Sequence, residues 1–474
     1  METIPHEIFL NILDFVGQNQ TELLPYVTVS RRWQHTIEPP TFRSFRIKST
    51  DLTTFSTLFR ESQSHRKALV REIYLDVVLP KHDGKDGQQH AERNDRRFSI
   101  AVLKLFRILD TFDGDRSEDH GGIHLTFRDI YTPGDRMLMG GLMSLRKPTL
   151  RPKETFIRIT NDEELPTLSC VSRFQFGGSV NSRTLDPASM MVLAHKFRSL
   201  RICRVDYCNP REGLDADAQK RMWHEFTNAL STYPHSSLEQ LFIDFRPTSP
   251  LNEASTPLYL VPLDTSVDPF NLALNKLIQK AHLEYVSFSA QHVISPEFFW
   301  PFEDADKPPT DSAFWPRLKA IRTIPSTVTP DGNWYFMADP NIATHDEFTG
   351  PAAQDQSKGD KEIINTFRSV PNPETMNPLL IAMAKTIRHA PCLEEVSLQW
   401  GSVRLTPKFL QRDMELKREF NISYFAKGVT PHYQAPGSSD TARLICQVQN
   451  WRPDENVESH WRHALGPDGV IIYR

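Results

Sequence analysis

Three stretches open alike: LEQLFIDF at 238–245, LEYVSFS at 283–289 and LEEVSLQW at 393–400. Each carries the phrase apolar-x-x-apolar-x-apolar, at Leu238, Leu241 and Ile243, at Leu283, Val286 and Phe288, and at Leu393, Val396 and Leu398. Side chains two apart on an extended chain point the same way, so the last two of each triple share one face of a strand. The segment before each copy is patterned as a helix. The apolar faces are Met222, Trp223, Phe226 and Leu230, then Leu274, Leu277 and Ile278, then Leu380, Met383, Ala384 and Ile387. Helix then strand, repeated over short connections, predicts a parallel sheet with helices packed outside it.

The same phrase occurs four more times, at Phe42-Phe45-Ile47, Val70-Ile73-Leu75, Val171-Phe174-Phe176 and Phe197-Leu200-Ile202. Copies are unevenly spaced, so the array over 41–402 is irregular. Polar insertions interrupt it at 80–97, 113–122 and 325–375, with the turn-forming and charged composition of exposed loops. The last insertion holds Trp334, Tyr335 and Phe336, which read either as a partner contact or as a short strand packed on its own domain. After Trp400 the pattern changes. Phe420, Ile422 and Tyr424 alternate with polar positions, as do Leu444, Cys446 and Val448. A helical segment, DENVESHWRHAL, then precedes a final strand at Val470 to Tyr473. Residues 403–474 are therefore expected to form an α+β segment capping the sheet, with Trp451 and Trp461 in its core.

The 474 residues exceed one ordinary core and suggest two or three domains at ~150 residues each. With 39% hydrophobic and 24% charged residues the chain can support packed domains. A net charge of -4 without single-sign blocks offers no general affinity for nucleic acid or acidic membrane. The start lacks the basic and apolar segments of a signal peptide, and no apolar run approaches the ~20 residues of a membrane span. Five scattered cysteines without a Cys-x-x-Cys pair fit a reducing compartment, cytosol or nucleus, and no structural zinc.

The first forty residues form a separate unit. Ile8, Phe9, Ile12, Leu13 and Val16 make a helical face behind Pro5 and Glu7, and Gly17 is a plausible stop. A short second helix with Leu23, Leu24, Val27 and Val29 follows. Ser30 can cap a third, carrying Trp33 and Ile37, that Pro39 and Pro40 are expected to end. Three short helices with this much apolar surface and so little length require a partner, or the rest of the chain, to complete their core.

Ile4, Pro5, Glu7 and Ile8, followed at fitting separation by Val29, Ser30, Arg31, Arg32 and Trp33, resemble the F-box, whose pattern opens on Leu-Pro-x-Glu-Ile and closes on Val-Ser-x-x-Trp. Ile4 replaces the usual Leu, and Pro25 falls inside helix two, which should shorten it. The resemblance implies docking into an apolar groove of a Skp-family adaptor, which in turn holds a cullin. Ile4, Pro5, Ile8, Phe9, Ile12, Leu24, Val29 and Trp33 are the implied adaptor-binding residues. The array behind it resembles the degenerate leucine-rich-repeat-like domains that follow many F-boxes, especially in filamentous fungi. An α/β fold follows: a three-helix F-box over 1–40, an irregular leucine-rich-repeat-like solenoid over 41–402 and the cap over 403–474. An ordinary α/β domain remains the alternative for the array.

Chemistry of its own is not evident. His120 to Gly122 resembles half of a lipase oxyanion motif, but no Gly-x-Ser-x-Gly accompanies it. The run from Asp113 begins like a calcium loop, yet Ser117 and Glu118 stand where a ligand and the turn glycine belong. No phosphate loop, dinucleotide fingerprint or His-Glu-x-x-His occurs, and no cysteine is set apart as a carrier of ubiquitin. The expectation is a non-catalytic target receptor of a ubiquitin ligase, without cofactor or metal, binding an unidentified protein. A scaffold that binds the adaptor without cullin, and an enzyme with an unrecognised site, stay open.

Overall fold

Six of the seven expected copies of the strand phrase fold where their periodicity puts them. A computed structural model describes the chain except residues 1–3, 20–23, 82–86, 115–120, 134–155, 178–181, 208–215, 234–236, 246–249, 251, 263–264, 266, 303–307, 309–312, 341–364, 406–416 and 431–438. Two units emerge, Met1–Arg183 with Lys196–Leu200, and Thr184–His195 with Arg201–Arg474. Both are α/β with mostly parallel sheet in which strand order follows chain order.

The first unit begins with α1 (His6–Asn19), a 3₁₀ turn (Leu24–Thr28) and α2 (Arg31–Thr41). Where the second helix was expected, the described residues form the 3₁₀ stretch Leu24–Thr28, with Pro25 near its start. Pro39 and Pro40, expected to end α2, lie within it instead. Their fixed φ suits a helix, and the two missing amides cost only the bonds to His35 and Thr36 carbonyls in the last turn. That turn is closed by the Phe42 amide on the Glu38 carbonyl at 2.8 Å and the Thr41 hydroxyl on the Ile37 carbonyl at 2.7 Å.

Four parallel strands follow: β1 (Ser44–Lys48), β2 (Glu72–Val78), β3 (Ile123–Tyr131) and β4 (Val171–Phe176). Phe45, Ile73, Leu125 and Phe174 stand in one cross-strand row, and Ile47, Leu75, Phe127 and Phe176 in the next. On β3 the first phrase position is Gly122, because a Cβ there would come within 2.2 Å of the Ser172 Cβ. Between β1 and β2 lie α3 (Leu52–Thr57) and a 3₁₀ stretch, Glu61–Leu69; α4 (Gly87–Asp113) joins β2 to β3. Residues 87–97, expected as loop, are thus the first turns of α4. Its inward positions there are His90 and Asn94, both buried, so the apolar period that marks the rest of the helix is interrupted by polar side chains.

In the second unit β5 (Ile202–Tyr207), β6 (Gln240–Phe245), β7 (Tyr285–His292) and β8 (Ala320–Pro325) run parallel. A two-stranded antiparallel ribbon, β9 (Phe336–Ala338) and β10 (Arg368–Pro371), intervenes before β11 (Glu395–Arg404) pairs parallel with β8. Antiparallel β12 (Lys417–Phe425) and β13 (Arg443–Gln447) follow, with β14 (Val470–Tyr473) parallel to β13. The row Cys203, Leu241, Val286, Ile321 and Val396 is wholly buried. Each of its four aliphatic side chains contributes about 1.5–3 kcal/mol of burial to the sheet.

That row corrects two readings of the phrase. On β5 the copy in register is Leu200-Cys203-Val205, three residues beyond the expected Phe197-Leu200-Ile202, since Phe197 is taken by a bridge to Leu168. A further copy at Leu318-Ile321-Thr323 was hidden because a buried threonine fills its last position.

Helices α5 (Pro187–His195), α6 (Ala216–Ser231), α7 (Pro269–Lys280), α8 (Pro296–Phe299), α9 (Pro373–His389) and α10 (Glu455–Leu465) each touch the next. Ring contacts carry this row: Trp223 of α6 meets Phe270 of α7 at 4.2 Å, and Phe298 of α8 meets Phe288 of β7 at 5.5 Å. Asn271 and Asn275, both buried on α7, donate to the carbonyls of Val293 and Phe298 at 3.0 and 2.8 Å, fixing the loop that leads into α8. Trp461 of α10 is core, its indole N–H donating to the Leu380 carbonyl at 3.3 Å, while Trp451 is half-buried against Phe420. Among the described residues no helix is long and apolar enough to cross a membrane.

Candidate functional site

The sequence gives α1 one broad apolar face, and the structure divides it in two. Phe9 and Leu13 turn inward with Trp33 and Ile37 of α2 to form a small separate core. The Phe9 and Trp33 rings meet edge-on at 5.3 Å, Tyr26 stacks on Trp33 at 5.7 Å, and Ile4 and Val27 pack against the cluster. Ile8, Ile12 and Phe15, spaced i, i+4 and i+7, form the other stripe and are 51%, 39% and 68% exposed. Val29, before the start of α2, is 49% exposed.

Two devices hold this arrangement. The Ser30 hydroxyl caps α2 by accepting the Trp33 amide at 3.4 Å, which satisfies an amide the helix itself leaves unbonded. At the other end of α2, buried Glu38 accepts from Arg66 at 2.7 Å and Gln34 at 3.1 Å and lies 2.8 Å from the His65 ring, anchoring the helix to Glu61–Leu69. Burial alone would raise the Glu38 carboxyl, but these hydrogen bonds prevail and hold it below the ordinary carboxylate value.

The expected adaptor-binding residues therefore separate by role. Ile8, Ile12, Val29 and Pro5 are presented to solvent; Phe9 and Trp33 build the core beneath them, with Ile4 half-buried at its edge. Leu24 lies in the 3₁₀ turn, and its side chain is outside the described residues. Phe15 belongs to the exposed stripe and was not among the expected residues, although its spacing from Ile8 and Ile12 marks it.

Trp334, Tyr335 and Phe336 are not an exposed anchor. They are 7%, 0% and 0% exposed: the Tyr335 hydroxyl donates to the Ile294 carbonyl at 2.7 Å, and Phe336 meets Trp400 and Phe420 at 5.7 Å. Three consecutive aromatics are too much apolar surface to leave in water: Tyr335 and Phe336 pack on Trp400 of β11, and Arg368 lies over the Trp334 ring at 4.8 Å.

A second surface escaped the sequence. The face of the second unit's sheet opposite the Cys203 to Val396 row carries Arg204, Phe242, Tyr285, Arg322 and Glu395 on successive strands. Arg204 lies over the Phe242 ring at 5.7 Å, Phe242 meets Tyr285 at 5.3 Å, and Arg322 lies over Tyr285 at 5.8 Å. Arg322 Nε and Nη2 each donate to one Glu395 carboxylate oxygen at 2.8 Å, and this bonding raises the guanidinium pKa. Arginine and tyrosine on a partly exposed sheet are composition typical of protein contacts. The signal was present at the polar positions of the phrase, but only pairing register assembles it.

The other motifs have local roles. Both carboxylate oxygens of Asp113 accept backbone amides, from Cys170 at 2.7 Å and Ser169 at 2.6 Å. His120 lies outside the described residues. Cys170, Cys203 and Cys446 are buried and Cys392 is exposed; burial pushes the Cys446 thiol up to about 12. Among the described residues no three His, Cys, Asp or Glu side chains are grouped to hold a metal. The chain matches no family model and no curated protein.

Proposed function

We propose that this chain is the target-recognition subunit of a Skp, cullin, F-box type ubiquitin ligase. In this reading α1 and α2 are an F-box that docks on a Skp-family adaptor, the cullin is held through that adaptor, and the sheet units form an irregular leucine-rich-repeat-like receptor for a protein target in the cytosol or nucleus. The chain itself performs no covalent step. Its contribution is to hold the target beside the transferring subunits and raise its effective concentration there.

The observation that carries the reading is the unburied stripe of Ile8, Ile12 and Phe15 beside a motif of matching ends, Ile4-Pro5-x-Glu7-Ile8 and Val29-Ser30-x-x-Trp33. A helix that served only as a cap would have no need of three large apolar side chains in water. The Arg204 to Glu395 strip is the corresponding support for a target surface.

The test is co-expression with a Skp-family protein, comparing the native chain with the double variant Ile8→Glu, Ile12→Glu. Both positions are exposed, so the variant should keep its melting temperature and lose the adaptor. Retained adaptor binding by the folded variant overturns the reading. If the adaptor binds and cullin never joins it, the chain is a scaffold and the ligase assignment fails.

A further inference from the structure

Helix α4 carries apolar residues on two sides. Phe98, Val102, Leu105, Leu109 and Phe112 repeat at helical spacing and are completely buried. Ile100, Leu103 and Ile108 lie on another face; Ile100 is 50% exposed and the other two are half-buried. A helix packed on its own sheet needs one such face, and its solvent side is ordinarily polar. The second face is one wall of a groove of about 730 Å³, and Ser56, Phe59 and Arg60, at and beyond the end of α3, form the other.

The charge of this groove is one-sided. Arg60, Lys104 and Arg107 line it and are exposed, and Lys67 lines it while donating to the Thr111 carbonyl at 2.8 Å. Among the described residues that line it there is no Asp or Glu, although the chain as a whole has net charge -4. Lys104 also reaches the Thr53 hydroxyl, and Arg107 comes within 4.0 Å of Glu164, a residue outside the groove.

We infer that the groove between α3 and α4 docks an acidic amphipathic helix of a partner protein. The partner's apolar side chains lie on Ile100, Leu103 and Ile108, and its carboxylates meet Arg60, Lys104 and Arg107. The wall from Ile100 to Thr111 runs about 16 Å, three turns of helix, which sets the length of the bound segment. Anchors at i, i+3 or i+4, and i+7 on the partner would match it. Acidic membrane has the right charge but the wrong shape, because a bilayer surface cannot enter a groove walled on both sides. This site shares no residue with the α1 stripe and stands whether or not α1 binds an adaptor.

The probe is a fluorescein-labelled four-turn peptide with leucine at i, i+3, i+4 and i+7 and glutamate at the remaining surface positions; the control has lysine for every glutamate. Anisotropy is read against the full chain, against Ile100→Glu, and against the triple variant Arg60→Glu, Lys104→Glu, Arg107→Glu. Saturable binding of the acidic peptide is expected, with at least tenfold weaker binding of the lysine peptide and at least a tenfold loss on Ile100→Glu. The triple variant should invert the preference, a result that a merely unfolded chain could not give. Equal binding of both peptides, no saturation by the acidic one, or indifference to the variants overturns the inference. So does capture of phosphatidylserine vesicles without the peptide, or self-association that Ile100→Glu abolishes, since either gives the groove a different occupant.

Discussion

The first forty residues and the second unit's sheet spend their apolar side chains in opposite ways. Across β5 to β8 and β11, the row Cys203, Leu241, Val286, Ile321 and Val396 is fully buried, and helices cover it. In the N-terminal helices four buried side chains make a core while Ile8, Ile12, Phe15 and Val29 remain outside it. Those four are nearly half of the nine large apolar residues exposed among the described residues, in a segment under a tenth of the chain. A sheet flanked by helices can be completed from within; a forty-residue helical unit cannot, and what it leaves exposed is available for another molecule.

The largest expected effect lies in the sheet unit and would break its half of the contrast if it were absent. Glu253, 2% exposed, takes a bond from Arg418 at 2.8 Å and accepts the amides of Phe367 and Arg368 at 2.6 and 2.5 Å, tying β10 to β12. Glu253→Ala leaves a buried guanidinium without its counter-charge and should destabilise the second unit by ~3–5 kcal/mol. Urea titration followed by circular dichroism measures this, and the double variant Glu253→Ala, Arg418→Met should recover much of the loss. A loss below ~1 kcal/mol would mean that the pair is hydrated rather than sealed by the ribbon.

Acid should distinguish the same unit next. His292 is wholly buried and stacked on Phe288 at 4.2 Å; burial lowers its pKa from about 6.5 to about 3. A folded-state value below the unfolded one means the neutral ring's full contribution is present above pH 6.5. That contribution is lost as pH falls towards 3, amounting to about 3 kcal/mol by pH 4. Burial works in the other direction on Asp268, the cap of α7, which is raised to about 6 and binds its proton more tightly in the fold than out of it. His292→Phe should flatten stability between pH 6.5 and 4. An unchanged acid limb in that variant would assign the loss to other groups.

A smaller effect belongs to the N-terminal helices. Ser30→Ala removes the cap of α2 and should cost about 1 kcal/mol, felt in the small Phe9, Leu13, Trp33 and Ile37 core and not in the sheet. Amide exchange resolves the two: faster exchange confined to α1 and α2 is expected. Equal acceleration in β6 and β7 would mean that the two regions unfold as one.

How much of this was legible follows from which signals are local. The strand phrase was, because Leu241 and Ile243 or Val286 and Phe288 announce a face by their own spacing. It failed where polar or small residues fill an inward position, as Thr323 does on β8 and Gly122 before β3. It failed again where two overlapping triples compete, as at Phe197 and Leu200. The first turns of α4 were hidden by the same cause, buried His90 and Asn94. Which of two adjacent apolar stripes on α1 turns inward was not legible, since Ile8 and Phe9 carry equal hydrophobic weight and only Trp33 decides between them. The Arg204 to Glu395 strip required pairing register, a property that no single segment contains.

The smallest stability effect bears most directly on the opening contrast. Phe15 is 68% exposed, the most of the nine, and lies one helical turn beyond Ile12. Phe15→Ser should change stability by no more than about 0.5 kcal/mol, because the native ring gains little burial that its loss could forfeit. A phenylalanine that anchors a partner helix would by contrast cost that partner at least tenfold in affinity, with the melting temperature unmoved. Phe9→Ala provides the reference: it should open the small core and weaken the proposed adaptor contact only through loss of α1. If Phe15→Ser destabilises as Phe9→Ala does, the exposed stripe is core for some further part of this chain. The contrast between a completed sheet and incomplete helices would then dissolve.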